Sequence, residues 1–159
     1  MNESIENFKN TLGQFATGVT VITYPDGDKF GGITVNSFSS LSLDPPLILV
    51  CLQKSISSHN KIQEAGVFAV NILEKSQENL SNLFASRSVD KNECVNTNGY
   101  TIEKSNSPIL NGCTGFLDCK VENYVEGGDH SIVIGRVIAC GSSPDKRPLL
   151  YYHRKYYSI

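Results

Sequence analysis

The sequence predicts a mostly β protein, an antiparallel barrel with a few short helices. Strand-type apolar runs recur at 19–24, 30–39, 47–52, 67–73, 115–124, 130–140 and 149–152. Turn sequences rich in glycine and proline separate them, such as Pro25-Asp26-Gly27-Asp28 and Glu126-Gly127-Gly128-Asp129. Only three short stretches read as helix. A chain of 159 residues can bury a core of its own, so residues 1–159 are read as a single domain.

The elements follow in order. Residues 5–15 open as a helix, with Ile5, Phe8, Leu12 and Phe15 on one face and Ser4 or Asn2 as the cap. That apolar stripe predicts a helix packed against the rest of the chain. Strands 19–24 and 30–39, joined by the turn at 25–28, form a hairpin. Residues 47–52 read as a buried strand. A serine-rich turn at 53–60 opens a second helix, roughly 58–65, which Gly66 ends. After strand 67–73, Ser76-Gln77-Glu78-Asn79 is a loose capping box for a third helix through Leu80, Leu83 and Phe84. Residues 86–98 are polar and irregular, with Lys91 as a solvated surface charge. A short strand at 101–103 and a turn at 108–112 precede strand 115–124, the Gly127-Gly128 bend and strand 130–140. A loop with Pro144 leads to the closing strand 149–152.

Composition excludes several function classes. Apolar residues make up 40% and charged residues 19%, which excludes a disordered chain. The net charge of −2 offers no basic face for nucleic acid. No apolar run reaches the roughly 18 residues of a membrane span. The first residues lack the basic and apolar regions of a signal peptide, so a cytoplasmic protein is expected. The five cysteines, Cys51, Cys94, Cys113, Cys119 and Cys140, show no C-x-x-C pair, and the three histidines are far apart. No metal site is expected.

The stretch 31–53 is the most informative. Gly31 and Gly32 allow a turn or a close backbone approach. Thr34, Asn36, Ser37, Ser39 and Ser40 place short polar groups beside the apolar Ile33, Val35 and Phe38. Asp44-Pro45-Pro46 then leads into the apolar strand. A solvent loop has no need of that apolar frame, and a core strand has no need of so many hydroxyls and amides. The combination suits a strand edge that hydrogen-bonds a flat polar ligand.

Several motifs resemble the flavin reductase-like family, the FMN-binding split β-barrels, and within it the reductase components of two-component aromatic monooxygenases. Phe15-Ala16-Thr17-Gly18-Val19-Thr20-Val21-Ile22-Thr23 resembles its opening strand. Thr34-Val35-Asn36-Ser37-Phe38 with Ser42-Leu43-Asp44-Pro45-Pro46-Leu47 resembles its flavin-binding strand and loop. Gly127-Gly128-Asp129-His130 resembles its glycine-aspartate-histidine signature, and Pro148-Leu149-Leu150-Tyr151-Tyr152 its closing strand. These pieces span nearly the whole chain in the family's order. Two places depart: Asn92 follows Asp90-Lys91 where the family has an aromatic residue, and the tail lacks an arginine-glycine ending.

The resemblance implies a split barrel that binds FMN, with FAD as the alternative, and that takes hydride from NADH or NADPH. It implies a homodimer, with reduced flavin released to an oxygenase such as a 4-hydroxyphenylacetate or phenol monooxygenase. Carried over, the flavin-binding positions are Thr34, Val35, Asn36, Ser37, Cys51, Leu52, Gln53, Ser55, Ser57, Ser58, Phe84, His130 and Tyr152. His130 is the catalytic candidate, positioning flavin and nicotinamide. The flavin phosphate is expected at the turn of Ser55, Ser57 and Ser58, where helix N–H groups and Lys54 favour an anion.

Each position also has a plainer reading. The serines can simply cap a helix. Asp129-His130 can be the polar tip of a hairpin. Phe84 and Tyr152 can be core or half-exposed barrel aromatics. At the level of function, the alternatives to a reductase are a split barrel that holds FMN without turnover and a scaffold barrel without flavin.

Overall fold

A computed structural model describes residues 2–159; the Asn2 side chain, one of the two expected caps, lies outside the described residues. The elements run α1 (Asn2–Leu12), β1 (Thr17–Gly18), β2 (Thr20–Asp26), β3 (Lys29–Val35), β4 (Phe38–Leu43), β5 (Pro46–Gln53), α2 (Ser57–Ala65), β6 (Val67–Ile72), a 3₁₀ turn (Lys75–Gln77), α3 (Glu78–Ala85), α4 (Lys91–Asn98), β7 (Tyr100–Ile102), β8 (Pro108–Leu110), β9 (Gly115–Gly127), β10 (His130–Ser142), β11 (Leu149–Tyr152) and β12 (Lys155–Ser158).

Seven strands form one antiparallel sheet in the order β3-β2-β6-β9-β10-β5-β4. Its two edge strands, β3 and β4, are consecutive in the chain, with only Asn36 and Ser37 between them. The sheet must therefore curl until its edges meet. At the corner between them Ser37 extends the β4–β5 ladder: the Cys51 N–H donates to the Ser37 carbonyl at 3.1 Å and the Ser37 hydroxyl to the Cys51 carbonyl at 2.9 Å. Away from that point the edges part, which makes this a split barrel. The expected single strand 30–39 is thus two strands broken at this corner.

Alternation along the strands fills the interior. On β5 Ile48, Val50 and Leu52 are buried while Leu47, Leu49, Cys51 and Gln53 are half-buried on the outside. Ile22, Tyr24, Ile62, Phe68, Val70, Cys119 and Val133 complete the barrel core. A second core, with Val19, Val21, Leu73, Leu80, Phe84, Val95, Leu110 and Leu149, lies between the sheet and helices α3 and α4.

Four differences from the sequence reading have physical causes. Residues 86–98 are not all irregular, since α4 forms there: Asp90 caps it by accepting from the Asn92 and Glu93 N–H groups. Only Cys94 and Val95 of that helix are buried, too few to make a periodic stripe. Residues 108–110 pair with β7 instead of merely turning. The tail returns as β12 against β11, through His153 and Arg154 at positive φ. Finally, the apolar face of α1 stays exposed among the described residues. Ile5, Phe8, Leu12 and Phe15 are 53–77% exposed, and the helix is tied by a Glu6–Arg154 ion pair and a Gly13 carbonyl that accepts from the His153 N–H.

Candidate functional site

Where the barrel splits, a cleft of about 710 Å³ opens between β3, the end of β5, the start of α2 and the α3–α4 connection. That volume is within the range of small-molecule sites. Of the thirteen residues expected to hold flavin, Thr34, Val35, Asn36, Ser37, Cys51, Leu52, Gln53, Ser55, Ser57, Ser58, Phe84 and His130 line this one cleft. Tyr152 does not. It lies on β11, which pairs with β1 and β12 in a separate small sheet, and its ring contacts His153 and Tyr157.

Gly31 and Gly32 line the cleft where β3 passes under two aromatic rings. A Cβ on Gly31 would lie 2.2 Å from the Tyr24 ring, and one on Gly32 would lie 2.5 Å from the Phe84 ring. The two glycines let two buried aromatics close down on β3. The Tyr24 hydroxyl donates to Ser58 Oγ at 2.8 Å, tying α2 to β2.

The first turn of α2 differs from the plain capping reading. The residue before the helix is Ile56, and no side chain caps it. Ser57 and Ser58 occupy the first helical positions, and Ser57 lines the cleft. The helix start therefore keeps N–H groups and partial positive charge facing the cleft, as an anion site requires.

At the other end stands His130, first residue of β10, paired in register with Gln53 of β5 and Gly127 of β9. The two-residue hairpin turn uses Gly128 at φ 68°, a conformation glycine adopts without strain. His130 Nδ1 lies 2.8 Å from Asp129 Oδ1. That hydrogen bond holds the exposed Asp129 carboxyl below its usual range and orients the imidazole. The turn is anchored to the serine loop, because the Lys54 N–H donates to the Asp129 carbonyl and Lys54 pairs with Glu126.

Lys91 is not the solvated surface charge expected. Its ammonium donates to the carbonyls of Leu83 (2.6 Å) and Ser86 and sits 5.8 Å from the centre of the Phe84 ring. Burial pushes its pKa down. Asn92, where an aromatic was expected, accepts from the Phe30 N–H through Oδ1 at 3.0 Å. Both residues thus brace the cleft wall. The sequence reading also missed Tyr24, Asp26, Lys29, Phe30 and Lys61, which line the same cleft. Their residue types carried no signal, since a hairpin tip rich in charge normally faces solvent.

Among the described residues no cluster of three or more histidine, cysteine or acidic side chains is placed to hold a metal. Burial raises the thiols of Cys113 and Cys119 to about 12, which makes them inert. No helix among the described residues is long and apolar enough to cross a membrane.

Comparisons with known proteins give the chain's relatives. The family described as "Flavin reductase like domain" matches residues 12–159. The reductase subunit HsaB of a flavin-dependent monooxygenase from Rhodococcus jostii strain RHA1 is 40% identical over 152 residues, covering 96% of this chain and 76% of its own. An NADH-dependent FAD reductase from Streptomyces globisporus is 37% identical over 147 residues, covering 90% and 79%. Among solved structures, the NADH:FAD oxidoreductase of Streptomyces globisporus C-1027, in complex with NAD and FAD fragments, superposes with a TM-score of 0.91 at 33% identity, covering 100% of this chain and 94% of that one. The styrene monooxygenase flavin reductase of Pseudomonas putida S12 superposes with a TM-score of 0.86 at 35% identity, covering 96% and 97%. With the family matched over residues 12–159 and a relative 40% identical over 152 residues, this chain belongs to the flavin reductase-like family.

Proposed function

We propose that this protein is an NAD(P)H:flavin oxidoreductase, the reductase component that supplies reduced flavin to a separate aromatic-compound monooxygenase. The observation that carries this reading is the cleft itself. Twelve expected flavin-binding residues converge there, with an uncapped helix start at one place and His130 at another. A flat slot flanked by strand-edge polar groups and an anion site fits an isoalloxazine with its ribityl phosphate. The names of the relatives, reductase subunits and an NADH-dependent FAD reductase, support both the oxygenase partner and NADH as the donor.

When flavin and nicotinamide are bound with their rings stacked, hydride passes between atoms that belong to the cofactors. The chain's work is to hold them. Thr34, Asn36, Ser37 and Gln53 offer hydrogen bonds along the slot, and Ser55, Ser57 and the α2 N–H groups hold the phosphate. His130, oriented by Asp129, sets the position of the incoming nicotinamide. No acid–base pair is needed. Five free cysteines suit the reducing cytoplasm, where we place the protein.

A homodimer completes the cleft. Leu47, Leu49, Cys51, Ile132 and Ile134 form an apolar outer row on β5 and β10, half-buried in one chain and continuous with Gln53 and His130 in the cleft. Strands apolar on both faces need cover on both sides, and a twofold contact is the commonest way to supply it.

Anaerobic titration with NADH tests the reading: bound flavin should lose its yellow colour, whereas a storage protein would stay oxidised. Ser57→Ala should weaken FMN binding by about 0.5–2 kcal/mol, the scale of one hydrogen bond to a charged group. Unchanged FMN affinity in that variant would remove the phosphate from this turn. His130→Ala should slow single-turnover flavin reduction or raise the NADH KM by about ten-fold with folding unaltered, since ring stacking carries most of the reaction. If neither kinetic value moves, His130 is only a hairpin residue.

A further inference from the structure

Two polar side chains inside the barrel have no part in holding flavin. His59 is the third residue of α2 and Ser131 the second of β10. Both are buried, neither lines the cleft, and His59 Nε2 lies 2.9 Å from Ser131 Oγ. His59 Nδ1 lies 3.0 Å from Asn60 Oδ1. An amide oxygen can only accept, so Nδ1 carries the hydrogen, and Nε2 of the neutral ring accepts from the Ser131 hydroxyl. The Tyr124 ring meets the imidazole edge-on, with centroids 5.5 Å apart.

The pair joins two segments that the flavin reading puts to work. His59 follows Ser57 and Ser58, assigned to the flavin phosphate, and Ser131 follows His130, assigned to the nicotinamide. Successive residues of a strand face opposite ways, so Ser131 points into the barrel while His130 lines the cleft. The same two segments are joined a second time nearer the surface, where the Lys54 N–H donates to the Asp129 carbonyl at 2.9 Å. One tie fixes a separation and leaves a hinge. A second tie, at a different point, removes the rotation.

Stability gives little reason for a polar pair at this place. Replacing both partners of a buried hydrogen bond by apolar groups of the same shape can be nearly neutral. What the bond adds is direction, since a satisfied buried polar network specifies one arrangement of its members.

We infer that His59 and Ser131 are positioning residues for hydride transfer: their buried hydrogen bond sets the flavin-phosphate turn in place relative to His130, and with it the stacking of the two cofactor rings. This assignment rests on the flavin reading and deepens it.

The test is stopped-flow reduction of FMN-saturated protein by saturating NADH without oxygen, beside FMN titration and thermal melting, in Ser131→Ala, His59→Ala and the double variant. Reduction should slow by about ten-fold in each single variant, because misplacing reacting groups by about 1 Å can cost on the order of a hundred-fold. FMN affinity should stay within about three-fold of wild type, since the cleft side chains and the α2 N–H groups remain. The double variant should be no slower than either single one, because the two residues act through one bond. Val133→Ala opens a cavity in the same strand and leaves the bond intact, so it should lower the melting temperature and keep the rate. Ser131→Ala is the smaller change and decides the matter alone where His59→Ala folds poorly. The inference is overturned if Ser131→Ala reduces flavin at the wild-type rate, or if the losses multiply in the double variant. It is equally overturned if Val133→Ala slows reduction as much as Ser131→Ala, which would make the effect one of a loosened core. Wild-type protein that binds no flavin, or holds flavin that NADH does not reduce, would remove the flavin reading itself and this assignment with it.

Discussion

Gly32→Ala should destabilise the protein by about 1–3 kcal/mol and abolish tight flavin binding, and Gly31→Ala should do the same. An added Cβ at position 32 would sit 2.5 Å and 2.7 Å from Phe84 ring atoms and 3.2 Å from the Ile22 carbonyl oxygen. Phe84 is only 1% exposed, so its ring has little room to retreat, and the carbonyl belongs to the sheet. At position 31 the Cβ would sit 2.2 Å from the Tyr24 ring, which is 2% exposed and fixed by its hydrogen bond to Ser58. Either ring must move, and each movement displaces a wall of the cleft. Urea unfolding with and without FMN measures both effects. Phe84→Leu should partly rescue Gly32→Ala, because the smaller side chain vacates the clashing volume. Gly32→Ala within about 0.5 kcal/mol of wild type, with normal flavin affinity, would show that the tight contact is not structural.

Ile134→Lys should turn the proposed dimer into a folded monomer with flavin affinity at least ten-fold weaker. Ile134 lies on the outer face of β10, opposite Leu49 of β5, while its neighbours Val133 and Gly135 are buried. A charge there leaves the barrel interior alone but would have to be buried, unpaired, at an apolar contact, at a cost of several kcal/mol. The row it belongs to continues through Ile132 and Cys51 toward Gln53 and His130, so loosening the contact opens one side of the cleft. Sedimentation and light scattering at dilute concentration give the mass, and flavin titration gives the affinity. A wild-type monomer that binds FMN tightly and turns over NADH would defeat the dimer argument.

Strands such as 47–52 and 67–73 were legible because β-branched apolar runs between turn residues have few alternatives. The Gly127-Gly128 hairpin was legible for the same local reason. Features set by contacts between distant segments were not. α4 buries only Cys94 and Val95, so its stripe is too weak to read, and its cap, Asp90, looks like any surface acid. Lys91 is a surface lysine by type, and only the carbonyls of Leu83 and Ser86 make it a brace. The periodicity of α1 was plain, but among the described residues its apolar face stays exposed. The candidate site was legible on the side where motif residues are adjacent in sequence. The side holding Asp26, Lys29 and Lys61 depends on the β2–β3 hairpin folding against α2, and Tyr152 stands apart from the cleft because its strand belongs to another sheet.

The curled sheet also bears on solubility. Helices α3 and α4 pack over β3, whereas β4 is an edge strand paired only with β5 among the described residues. Its sequence, Phe38-Ser39-Ser40-Leu41-Ser42-Leu43, carries no charge, and Leu43 is 94% exposed. Such a strand is a template on which a second chain can add itself and begin aggregation. Asp44-Pro45-Pro46 follows directly, a negative charge and two residues without N–H donors. These are the residue types that flank unavoidable apolar strands as gatekeepers. The turn that helps identify the family thus also carries the residue types that oppose strand addition at the open side of the barrel.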